Sequence, residues 1–121
     1  MKVHNYENLQ VWQKSMNLAE EVYCLTEKFP KTELYGLTSQ MRRCAVSIPS
    51  NIAEGSRRKT KKDFTQFLSI AFGSVAELET QLKLAERLNL INKSNSARSQ
   101  QLLSEIMRML NKFIGSLNSN L

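Results

Sequence analysis

Apolar residues recur along this chain at steps of three and four, in four separate stretches. The most regular is Phe64, Leu68, Ala71, Val75, Leu78, Leu82, Ala85, spaced 4-3-4-3-4-3, a heptad seam held for three repeats. A stripe before it runs Leu34, Leu37, Met41, Cys44/Ala45, Ile48, Ile52, and one after it runs Leu102/Leu103, Ile106, Met109/Leu110, Phe113, Ile114, Leu117. Nearest the N-terminus, Leu9, Trp12, Met16, Ala19 and Tyr23 form a main stripe, flanked by Leu18, Val22, Leu25 and Phe29. Steps of this kind predict amphipathic helices, and no stretch alternates as a half-buried strand does. Four such helices joined by short loops are antiparallel neighbours. The expected fold is all-α, an up-down-up-down four-helix bundle forming a single domain over residues 1–121.

Punctuation residues predict where each helix starts and stops. Asn5 is a good N-cap for helix one, with Glu7 in the first turn, and Pro30 ends it. Helix two is expected to start at Thr32 or Glu33 and to run through Pro49, because its stripe keeps phase there. A proline inside a helix removes the bond to the carbonyl four residues back, here Ala45, and predicts a kink. Gly55 suits the left-handed position that closes a helix. Thr60-Lys61-Lys62-Asp63 has capping-box form at the start of helix three. That helix is expected to fade over Leu88–Ile91. Asn92–Ser96 then forms a loop with a serine N-cap for helix four, which frays over Asn118–Leu121.

Charge changes the picture more than bulk composition does. The 121 residues carry 17 Lys/Arg against 11 Asp/Glu, a net charge of +6. Five of the bases, Arg57, Arg58, Lys59, Lys61 and Lys62, fall within six positions that hold no acid, leaving 12 bases against 11 acids elsewhere. A concentrated patch of this kind attracts polyanions. Cys24 and Cys44 both fall on apolar helical faces and read as buried, reduced thiols of a cytoplasmic protein. The opening M-K-V-H-N-Y-E-N-L-Q has no signal-peptide core, and no apolar run approaches the roughly 18 residues of a membrane span.

Catalytic chemistry finds no support. His4 is the sole histidine, and no acid pairs with it at the spacing of di-metal bundles. Glu77 and Glu79 face different ways on a helix, Ser47 and Ser50 have no base near them, and glycine-rich phosphate loops are absent. No catalytic residue, metal site, cofactor or small-molecule substrate is expected. Met16, Met41, Met107, Met109 and Trp12 read as core or interface residues.

Two features point to partners. Phe67, Ile70 and Phe72 lie outside the seam of helix three and widen its apolar arc to roughly half the circumference, beyond the roughly 100° a surface helix needs. They are the expected contacts of a homo-oligomer. The second feature is the basic run. Arg57 and Arg58 follow a helix C-terminus, where cations are favoured, and Glu54 is placed to pair with Arg58. Lys61 and Lys62, however, occupy a first turn, where the helix dipole disfavours them. A bound phosphate would give them a purpose. No stacking aromatic interleaves with the bases, so the expected contacts are to phosphates, not to bases.

The segment L-Y-G-L-T-S-Q-M-R-R-C-A-V-S-I-P-S-N-I-A-E-G-S-R-R, Leu34 to Arg58, resembles the signature of the 23S ribosomal RNA intervening-sequence proteins, also called four-helix-bundle proteins. The similarity extends to Glu7–Lys14 and Phe72–Leu82 and is weakest in helix four. It implies an antiparallel bundle assembled as a homopentameric ring, with no catalytic residues. A related branch implies an accessory subunit of a reverse transcriptase that binds nucleic acid. Pro49, Asn51, Glu54 and Gly55 carry over as structural positions, and Arg57 and Arg58 as phosphate contacts. The expectation is a non-enzymatic oligomer that binds RNA or DNA backbone. The alternative is a protein-interaction scaffold whose bases are a solvated rim.

Overall fold

The computed structural model describes residues 5–119. Four helices account for most of them: α1 Gln10–Glu27, α2 Ser39–Ser56, α3 Lys61–Arg87 and α4 Lys93–Asn118, with no strand among the described residues. α2 packs on α1 and α3, and α4 packs on α3 and α1, so each helix has two main neighbours around one core. His4, Asn120 and Leu121 lie outside the described residues.

The heptad seam is the centre of that core. All seven seam residues of α3 are buried, in a single cluster with Ile48 and Ile52 of α2 and Leu102, Ile106 and Leu110 of α4. Each of the larger side chains among them, Phe, Leu, Ile or Val, contributes about 1.5–3 kcal/mol on burial. Phe64 adds an edge-on contact with Phe113, ring centroids 5.2 Å apart.

In α1 the order of the two stripes is reversed. The buried line is Val11, Ser15, Leu18, Val22 and Thr26, whereas Met16 and Tyr23 of the expected main stripe are exposed. Two hydroxyls lie on the buried line because each returns to the backbone one turn earlier: Ser15 Oγ donates to the Val11 carbonyl at 2.6 Å, and Thr26 Oγ1 to that of Val22 at 2.7 Å. A stripe drawn through apolar residues alone passes over such positions. Cys24, expected to be buried, is exposed for the same reason, and Cys44 is buried.

Several helix ends also differ from expectation. Asn5 caps a 3-10 turn, Tyr6–Asn8, and α1 starts later, at Gln10. Before α2 come a 3-10 turn, Lys31–Glu33, and a π-helical turn, Leu34–Thr38, broken at Gly36 (φ −114°, ψ −114°). α2 then continues as one element through the buried Pro49. Gly55 is not the left-handed terminator; it lies inside α2, and its bare Cα is needed for packing, since a Cβ there would stand 2.7 Å from the Cβ of Phe67. Among the described residues, the one with a left-handed backbone is Asn89, φ 60°. It closes α3 by donating from its N–H to the Glu86 carbonyl, while the Leu90 N–H reaches that of Ala85 at 2.9 Å. The N-cap of α4 is Asn92 rather than a serine, in a reciprocal box with Asn95. Ser96 is instead buried and donates to Glu86 at 2.6 Å.

Candidate nucleic-acid interface

The basic run forms a tight corner between α2 and α3. Arg57 ends α2, and its N–H returns to the carbonyls of Glu54 and Gly55. The Arg58 N–H bonds the Gly55 carbonyl at 3.0 Å. Thr60 is extended, and its hydroxyl accepts the Asp63 N–H at 3.1 Å, opening α3 at Lys61. With that amide taken, the first-turn amides outside the helical ladder are those of Lys61 and Lys62. Four of the five bases are exposed and Lys61 is half-buried.

The two arginines have neighbours that hold them. Arg58 donates from Nη2 to Glu54 at 2.9 Å, and its guanidinium lies 4.6 Å from the centroid of the Phe67 ring. Arg57 lies 5.5 Å from the Tyr6 ring centroid. Each contact is an exposed one worth about 1 kcal/mol or less, enough to bias a side chain and too weak to withhold it from a stronger anion. Among the described residues the ion pairs are Glu54–Arg58 and Lys14–Glu105, so Lys59, Lys61 and Lys62 have no carboxylate partner. No aromatic residue interrupts the run in sequence, yet folding brings Tyr6 and Phe67 beneath its arginines.

The other expected site residues have separate positions. Pro49 and Gly55 are buried in α2, and the Asn51 amide donates to the Ser47 carbonyl at 2.7 Å. Phe67 is half-buried against Gly55 and Arg58, and Phe72 is half-buried and packs on the core. Of the three residues expected at an oligomer contact, Ile70 is left exposed, at 54%.

Two recesses are not expected from the sequence pattern. A groove of about 350 Å³ between α1 and α2 is lined by Tyr6, Trp12, Met16, Ala19, Val46, Pro49, Ser50 and Ala53. Its one sequence signal is the Trp12–Met16–Ala19 stripe, which by periodicity alone reads as core. A polar recess of about 250 Å³ is lined by Gln40, Arg43, Cys44, Ser47 and Glu77. There Ser47 and Ser74 hydroxyls lie 2.6 Å apart and the Cys44 thiol donates to the Ser74 carbonyl at 3.1 Å. Burial, with the Glu77 carboxylate nearby, pushes the Cys44 thiol up to about 12, so it is no nucleophile at neutral pH. Among the described residues, no group of three or more side chains is placed to hold a metal ion.

Compared with known protein families, residues 7–112 match the family model described as 23S rRNA-intervening sequence protein. No curated protein matches the chain.

Proposed function

The chain belongs to the 23S rRNA-intervening sequence protein family, and from its basic corner we propose a non-enzymatic, homo-oligomeric bundle that binds the phosphate backbone of RNA or DNA. The observation that carries this reading is the state of Lys59, Lys61 and Lys62. They are clustered, without a carboxylate partner among the described residues, and two of them stand in the first turn of α3. Stability does not favour cations there, whereas a phosphate would accept from the Lys61 and Lys62 amides and from the flanking bases together. Arg57 and Arg58, already biased in position, add further donors.

Within this reading the helices run up and down in turn, with a kink at Pro49, and the copies form a closed ring, a pentamer. Support for assembly comes from apolar side chains left in solvent: Ile70 on α3, and Met16 and Val46 in the groove between α1 and α2. A ring repeats the basic corner around its axis, so weak phosphate contacts add through multivalency. The two free cysteines suit a cytoplasmic location. No helix among the described residues is long and apolar enough to cross a membrane.

The same groove favours a second reading, a scaffold or accessory subunit whose apolar surface receives a protein partner. Light scattering coupled to size exclusion separates the two, using nuclease-treated protein with and without structured RNA and duplex DNA. A particle of several subunits that shifts with nucleic acid only at low salt is expected. An oligomer indifferent to nucleic acid overturns the backbone-binding reading in favour of the scaffold, and a monomer overturns the oligomer.

A further inference from the structure

At the other end of α2, a depression of about 420 Å³ is lined by Tyr23, Tyr35, Thr38, Ser39, Arg42 and Arg43, together with Leu34. Its volume falls in the range of small-ligand sites. Its lining includes two arginines and no acid. Tyr35 is 94% exposed, so its ring contributes nothing to the core. The π-helical turn displays it: Gly36 breaks the helical backbone, and the Glu33 carboxylate is engaged in accepting the Leu37 N–H at 3.3 Å.

The arginines beside it are prepared for an anion. Arg42 is held by a bond from Nε to Thr26 Oγ1 at 2.9 Å and lies 4.6 Å from the Tyr23 ring centroid, which leaves its terminal nitrogens as donors. Arg43 is exposed and, among the described residues, forms no ion pair. Thr38 is buried, 3% exposed, and its hydroxyl has no partner among the described residues. Buried hydroxyls normally find one, as that of Thr26 does one turn back.

From the Tyr35 ring beside Arg42 and Arg43, we infer a binding site for an unpaired nucleotide, its base stacked on Tyr35 and its phosphate on the arginines. Base stacking plus a cationic groove is the general means of holding single strands, and a base inside a duplex cannot offer its face to such a ring. Arg43 and Arg57 are 14 residues apart, which in an α-helix is roughly 21 Å along the axis and about 40° around it. One strand therefore has a path from the basic corner to Tyr35. The inference deepens the nucleic-acid reading and rests on it for the class of polymer.

The test is fluorescence anisotropy at low salt on the full chain, with a labelled oligouridylate and an RNA duplex of equal length. Y35A is expected to weaken single-strand binding about tenfold or more, to leave duplex binding unchanged, and to be rescued by Y35W. Because Tyr35 is exposed, these variants fold, which circular dichroism verifies. Single-strand binding that Y35A leaves intact, that falls equally with duplex binding, or that Y35W fails to rescue overturns the site. So does wild-type protein that binds no single strand. Substituting Arg57, Arg58, Lys59, Lys61 and Lys62 together reports separately on the basic corner: undiminished duplex binding in that variant overturns the corner while the Tyr35 comparison still decides this site.

Discussion

Gly55 and Phe67 approach so closely that a Cβ built on the glycine would stand 2.7 Å from the Phe67 Cβ and 2.9 Å from Cδ1 of Phe64. This contact brings the end of α2 onto the start of α3 and thereby sets the corner that carries the bases. Gly55→Ala is expected to cost about 1–3 kcal/mol, the usual penalty of overpacking, despite the better helix propensity of alanine. Urea denaturation measures it. An unchanged or raised midpoint would show that α2 and α3 separate at no cost.

The basic corner predicts a salt signature. Replacing Arg57, Arg58, Lys59, Lys61 and Lys62 by serine should reduce the slope of log K against log salt by about 0.7–0.9 for each phosphate that is no longer neutralised. Binding isotherms at several salt concentrations give the slope. Equal slopes for both proteins would place the phosphate-binding surface elsewhere.

The two thiols should differ in reactivity. Cys24 is exposed, while Cys44 is buried and its pKa pushed up from 9.0 to about 12. One thiol per chain is expected to react promptly with a disulfide reagent at pH 8, and two after denaturation. Prompt reaction of both in the native protein would count against this packing.

The same shift makes stability depend on alkaline pH. Above pH 9.0 the unfolded thiol releases its proton while the folded one holds it until about 12. The unfolded state then binds fewer protons, so stability falls as pH rises through that window, by at most about 1.4 kcal/mol per pH unit from this group. Cys44→Ala should flatten that dependence, read from denaturation midpoints between about pH 9 and 11 against the parent, whatever its own cost in packing.

Asn89 has φ 60° at the close of α3. Asn89→Ala is expected to cost about 1 kcal/mol, since a left-handed backbone costs about 1–2 kcal/mol outside Gly, Asn and Asp, and Asn89→Gly should cost nothing or stabilise slightly. Thermal denaturation of the pair checks it; alanine and glycine behaving alike would argue that the strain is absent.

The chain alone determined the four helices, the buried seam of α3 and the composition of its basic run, because helical periodicity and local charge are written at short range. The Glu54–Arg58 pair and the Thr60 cap were legible for that reason: their partners lie one turn apart. What needed the tertiary structure was every choice between equivalent faces. Val11, Ser15 and Leu18 face inward while Trp12 and Met16 line a groove, because α1 is oriented by the helices it packs on, and hydroxyls bonded to their own backbone enter a core at little cost. Gly55 reads as a stop signal in isolation, yet the neighbouring α3 uses it as a close-approach point. The placement of Tyr6 and Phe67 under arginines, and of Tyr35 beside Arg42 and Arg43, likewise depends on how turns and helices meet. Spacing along a chain specifies which residues share a face; only packing specifies what that face meets.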